Sequence, residues 1–197
     1  MVETNIFGEP EDVLYVKGRG ADLATIDAAG FSPCRLRRLL RLVGLGELSD
    51  EHMESELKLS LTRASAPAPS VETLLHALLP QQFVDHTHAD ALIAVMNSRN
   101  GFERLQEIYG SQIVVIPYAM PGFKLVRLCR EILSKEATRE TVGVVLMHHG
   151  LFTFGETAKV SYERMIDLVS QAERYLETHG AGPVSYTHLT LPTICSV

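Results

Sequence analysis

The chain has 197 residues, 46% of them hydrophobic and 21% charged, with a formal net charge of -6 at pH 7. That length allows one domain with a sizeable core, and the acidic balance excludes a broad basic surface for nucleic acid or an anionic membrane. No segment reads as a bilayer span or a signal peptide. Cys34, Cys129 and Cys195 have no metal or redox spacing, and their odd number argues against a disulfide framework, so a reducing, cytoplasmic location is expected.

Short β runs alternate with amphipathic helices. Val13-Leu14-Tyr15-Val16 predicts a strand, closed by a Lys17-Gly18-Arg19-Gly20 turn whose glycines permit close approach of a ligand. Ser32-Pro33 predicts a helix start, with the helix running to Gly44 or Gly46. Its wet face would carry Arg35, Arg37, Arg38 and Arg41, and its dry face Leu36, Leu39, Leu40 and Val43. Ser49 should cap a helix that fades near Ala64; Ala64 to Pro69 is a loop, and Ser70 should cap a helix to Leu79.

Farther on, Phe83 to His88 predicts a strand and Ala89 to Asn97 a helix closed by Ser98-Arg99-Asn100-Gly101. Gln112 to Pro117 is a buried strand, Pro121 to Ser134 a helix, and Thr141 to Met147 a strand ending at His148-His149-Gly150. Glu156 to Thr178 is a long amphipathic helix. Val184 to Val197 continues neither pattern and resembles a peptide that recurs where a sequencing adapter has been translated. It is expected to be a non-native tail, which removes His188 and Cys195 from the ligand candidates and leaves a domain over residues 1–183.

Chemistry concentrates in few positions. In an extended segment His86 and His88 share one face, so both imidazoles can meet one ion, and His149 at a strand end could supply a third. Three imidazoles leave a coordination position open for catalysis. Glu72, near a helix start, is the candidate for proton transfer, with a carboxyl pKa raised by burial. Asp85 and His148 are candidates to orient a ligand imidazole from behind. His52 and His76 fall on helical faces and are expected to be satisfied or solvent-facing.

Three stretches, Ala68-Pro69-Ser70-Val71-Glu72-Thr73-Leu74-Leu75-His76, Val84-Asp85-His86-Thr87-His88-Ala89 and Leu146-Met147-His148-His149-Gly150-Leu151-Phe152, resemble in order the signatures of the class II aldolase/adducin family. The Tyr15 to Leu23 stretch is most similar to the aldolase part of the bifunctional rhamnulose-1-phosphate aldolase/alcohol dehydrogenases. The resemblance implies a three-layer α/β/α fold, incomplete at both ends here, whose central mixed or mainly antiparallel sheet is flanked by helices. It implies zinc on His86, His88 and His149, with Glu72 as acid/base. Gly18, Arg19, Gly20 and Ser70 would lie at the phosphate of a ketose 1-phosphate that is cleaved to dihydroxyacetone phosphate and an aldehyde. It also implies a homo-oligomer, a tetramer in the family, and a dehydrogenase fused in the full-length parent. Two departures stand out. The family's glycine-asparagine phosphate loop is missing, and Arg19 stands where serine or threonine is common. Related sugar-phosphate 4-epimerases, and adducin-like binding modules without the metal, are the alternatives.

Overall fold

The structure is a computed structural model and describes residues 1–181. The expected tail, 184–197, lies outside the described residues.

Three strands open the chain: β1 (Val2–Thr4), β2 (Pro10–Lys17) and β3 (Phe31–Arg35), antiparallel in that spatial order. The strand expected at Val13 is therefore longer, and the helix expected at Ser32-Pro33 is not there. Pro33 pairs with Tyr15 in β3 at the sheet edge, where its missing N–H costs no ladder bond to a further strand. The Ser32 hydroxyl donates to the Pro67 carbonyl at 2.9 Å instead of capping a helix. Helix α1 (Leu36–Val43) begins after the strand, with Leu39, Leu42 and Val43 buried and Leu40 turned outward.

Helix α2 (Asp50–Leu59) is capped as expected, the His52 amide donating to Ser49 Oγ at 3.2 Å. It stops before Ala64, because Ser60 is buried and its hydroxyl closes on the Leu57 carbonyl at 2.6 Å. Helix α3 (Thr73–Leu78) starts three residues beyond Ser70, whose Oγ accepts the Glu72 amide at 3.2 Å in the preceding turn.

The remaining elements are β4 (Phe83–Thr87), α4 (Asp90–Met96), α5 (Gly101–Tyr109), β5 (Ile113–Ile116), α6 (Phe123–Glu136), β6 (Gly143–Leu146), β7 (Gly150–Gly155) and α7 (Ala158–Thr178). Neither β1, α5 nor β7 is expected from the sequence signals above. The Ser98 to Gly101 stretch that closes α4 also opens α5: Asn100 is left-handed at φ 59°, and a β-carbon on Gly101 would lie 2.2 Å from the Met96 carbonyl oxygen.

The second sheet has the order β4-β7-β6-β5, antiparallel except for the β5–β6 pair. Its strands are apolar on both faces because both are covered. Val114, Ile116, Val144, Leu146, Phe152 and Phe154 pack with α1, α2, α3 and α6. The alternate residues Ile113, Val115, Val145 and Leu151 pack with α4, α5 and α7. Three layers result, with the mixed, mainly antiparallel sheet in the middle. The β6–β7 hairpin turns through Met147-His148-His149, and Leu146 pairs with Gly150 across its neck.

Candidate metal centre

His86 sits in β4 opposite Phe152 of β7, and His88 lies just past the end of β4 on the same side. The hairpin turn brings His149 to them from the neighbouring strands, and Glu72 enters from the start of α3. Ligand atoms of these four residues all lie within 4.8 Å of one another. The ring centroids of His86, His88 and His149 are 4.9, 5.2 and 5.0 Å apart, with interplanar angles of 71° to 87°. Three imidazoles thus form a nearly equilateral set with their edges turned to a common point.

Each ring is held differently. His86 Nδ1 donates to the Leu151 carbonyl at 2.9 Å, and its ring stacks on Phe152 at 4.0 Å and 17°. This backbone carbonyl, not Asp85, orients the imidazole. Glu72 makes no capping bond to its own helix; its Oε1 instead accepts from His149 Nε2 at 2.7 Å and lies 3.2 Å from His86 Nε2. Burial raises the Glu72 pKa, but the hydrogen bonds from His149 and His86 outweigh it and hold the carboxyl well below the usual carboxylate range. The raised pKa expected from burial alone is corrected accordingly. Burial, then the neighbouring charge of His86 and His149, lowers the His88 pKa and favours its neutral, ligating form.

The donor set fits a divalent ion. With Nδ1 donating to the Leu151 carbonyl, a neutral His86 turns its Nε2 lone pair toward the Glu72 carboxylate at 3.2 Å, and His88 Nε2 lies 3.0 Å from the same atom. A cation among the three Nε2 atoms removes that repulsion. His149 Nδ1 is buried without a partner among the described residues, a cost that folded proteins carry mainly at functional sites.

Gly150 completes the packing. A β-carbon there would lie 2.5 Å from the Thr87 carbonyl oxygen, 2.8 Å from His88 Cδ2 and 3.0 Å from His86 Cε1. Gly150→Ala is therefore expected to destabilise the fold by about 1–3 kcal/mol and to weaken metal binding, checked by thermal melts with and without added metal.

His148 points elsewhere. Its backbone is left-handed at φ 58°, Nδ1 is 2.5 Å from Asn97 Oδ1, and the ring lies edge-on to Tyr118 at 5.7 Å. Its contacts tie the hairpin to the end of α4, so the expectation that it backs a ligand imidazole is corrected.

A cavity of about 420 Å³ opens beside the cluster, lined by Glu72, His86 and Ser70 together with Lys17, Gly18, Arg19 and Gly20. Gly18 is required by packing, since a β-carbon would lie 2.8 Å from the Gly30 carbonyl oxygen and from Pro67. Gly20 is left-handed at φ 79° and open around its α-carbon. Arg19 lines the cavity while its guanidinium meets Glu54 at 3.4 Å. Lys17 is on the same wall and was passed over in the sequence as part of a turn; a cation ending a strand beside two glycines was the available signal.

His76 also lines this cavity, edge-on to Phe152 at 5.3 Å. Half-buried rather than solvent-facing, it has a pKa pushed by burial, and secondarily by His86, from 6.5 down to about 4. The folded state therefore binds fewer protons than the unfolded one between those values, and stability is lost as pH falls from 6.5 towards 4. The His76 part of this loss is expected to reach roughly 3 kcal/mol at most, so that His76→Gln loses less stability than wild type between pH 7 and 4.5, read from melting temperatures at the two pH values.

A family model described as the Class II Aldolase and Adducin N-terminal domain matches residues 3–176. The chain belongs to this family. The N-terminal class II aldolase domain of a conserved protein from Thermoplasma acidophilum has the same fold, with a TM-score of 0.82 and 40% identity over 89% of this chain and 80% of that one. An aldolase II superfamily protein from Pseudomonas syringae shares the fold at 15% identity and TM-score 0.54, over 88% of this chain and 64% of the other. The Bacillus subtilis (strain 168) protein named uncharacterized oxidoreductase YuxG is 38% identical over 174 residues, which are 88% of this chain and 25% of that protein. The chain thus spans a quarter of that relative's length. Class II aldolases are metal-dependent, and the His/Glu cluster of this member could bind the metal.

Proposed function

We propose that this domain cleaves a ketose 1-phosphate, rhamnulose 1-phosphate being the favoured candidate, by a zinc-dependent retro-aldol reaction to dihydroxyacetone phosphate and an aldehyde. The observation that carries the reading is the position of Glu72: its carboxylate touches two of three convergent imidazoles and faces the cavity. His86, His88 and His149 would hold the zinc, which supplies Lewis-acid polarisation of the substrate carbonyl and adjacent hydroxyl. Glu72 would move the proton between the substrate hydroxyl and the carbon freed by cleavage. Its ionised form suits the accepting role. Ser70 and the Gly18 to Gly20 loop would position the phosphate end.

The intact cluster supports an enzyme over an adducin-like binding module. A dehydrogenase fused in the full-length parent is supported by the Bacillus relative, which is named an oxidoreductase and is matched over only 25% of its length. A cytoplasmic homotetramer acting on a free sugar phosphate accords with the family, and no described helix is long and apolar enough to cross a membrane. Residues 184–197 are read as a non-native tail, with support from a family match that ends at residue 176.

The test is product analysis with the full-length parent loaded with zinc and offered ketose 1-phosphates. Dihydroxyacetone phosphate should be released. A second sugar phosphate with no free triose would mean an epimerase, and no turnover of any ketose 1-phosphate would reject the reading.

A further inference from the structure

His76 follows Glu72 by one turn of α3, its amide donating to the Glu72 carbonyl at 3.1 Å, so the two side chains lie on one side of the helix. Asp85, on β4 at the edge of the second sheet, lines the same cavity. Both residues also line a second cavity of about 400 Å³, which shares Tyr15, Phe31 and Val84 with the first. Away from this common neck the second cavity is walled by Met1, Val13, Leu14, Phe83 and Ala158, and is apolar apart from Gln82.

The other polar groups around the neck are engaged. The Tyr15 hydroxyl donates to Glu3, Ser70 Oγ accepts the Glu72 amide, and His86 is bound to the Leu151 carbonyl. Among the described residues His76 and Asp85 make no side-chain hydrogen bond, and the ion pairs leave Asp85 without a cation within 4.0 Å. Both are half-buried. A half-buried carboxylate and imidazole without partners are a costly arrangement unless a ligand meets them.

The two groups together describe that ligand. Neutral His76 offers one donor and one acceptor, and the Asp85 carboxylate only acceptors. A hydroxyl complements both, donating its proton to Asp85 and accepting the His76 N–H. A phosphate does not, because Asp85 repels it.

We propose that Asp85 and His76 form a second substrate subsite, which binds a hydroxyl on the aldehyde half of the ketose phosphate and directs the carbon beyond it into the apolar cavity. The inference rests on the aldolase reading of the first cavity and names its substrate class: a ketose 1-phosphate whose aldehyde half is a 2-hydroxyaldehyde with an apolar end. Lactaldehyde is the smallest such aldehyde.

The experiment compares zinc-loaded wild type, Asp85→Asn and His76→Phe in the addition of dihydroxyacetone phosphate to lactaldehyde and to propionaldehyde, which lacks the 2-hydroxyl. Wild type should prefer lactaldehyde. Each variant should lower the lactaldehyde-to-propionaldehyde ratio of kcat/KM about 10-fold, mainly through the KM for lactaldehyde, with propionaldehyde rates near wild type. Without turnover, propane-1,2-diol titrated into the zinc-loaded protein should shift the His76 imidazole NMR signals, 1-propanol should move them less, and Asp85→Asn should weaken the diol response. Asp85→Asn, on an edge strand, decides the question if His76→Phe does not fold.

Equal losses with both aldehydes would overturn the proposal and leave two residues that only support the wall. So would a wild type that treats the two aldehydes alike. Absence of any aldol chemistry in wild type would reject the aldolase reading alone, and the diol titration would still decide whether Asp85 and His76 hold a hydroxyl.

Discussion

Glu72→Gln is expected to lower kcat for triose phosphate release by about 10²- to 10⁴-fold, the usual contribution of a positioned general acid/base. The amide keeps the shape of the carboxylate, whose Oε1 lies 2.7 Å from His149 Nε2 in the metal-free structure, but it cannot take up a proton. Zinc content should therefore stay near wild type while turnover falls, and KM should change little. A structural role for Glu72 would give a different result. Its carboxylate makes no cap bond to α3, so the helix itself has little to lose. Metal analysis and steady-state kinetics on the same preparation separate the two cases, and a variant that keeps full activity would remove Glu72 from the mechanism.

The adjacent histidines offer the second large effect. His149→Ala is expected to weaken zinc binding by more than about 10²-fold, since loss of a partner behind a ligand already costs 10- to 100-fold. It also strips Glu72 of its shortest hydrogen bond, which should destabilise the metal-free protein by about 1–3 kcal/mol. His148→Ala, one residue earlier, should bind zinc normally, because that ring is engaged with Asn97 and Tyr118 away from the cluster. Competition with a chromophoric chelator measures both variants. Equal losses at 148 and 149 would contradict the geometry.

Much of this site was legible in the sequence because its parts follow local periodicities. His86 and His88 share a face for the simple reason that strand side chains alternate, and Glu72 could be placed near a helix start from the proline-rich loop before it. What supports those residues was not legible. The Leu151 carbonyl that orients His86 is a backbone atom, and its position depends on β7, a strand whose six residues are all buried and show no alternation. The same burial hid β7 itself. Ser32-Pro33 carries the local chemistry of a helix start, but tertiary pairing with β2 overrides it. The Gly18 requirement read from the turn as ligand approach has a second cause, a close crossing with Gly30 and Pro67, segments far enough away in sequence to leave no signal.

The proposed chemistry depends most on one ion held by three imidazoles. Calorimetric titration of zinc into the metal-free chain tests this directly. It predicts one zinc per chain, with binding abolished when His86, His88 and His149 are replaced together by alanine in a protein that still melts cooperatively. A folded wild-type chain that binds no zinc, or a triple variant that binds it as well as wild type, would contradict it.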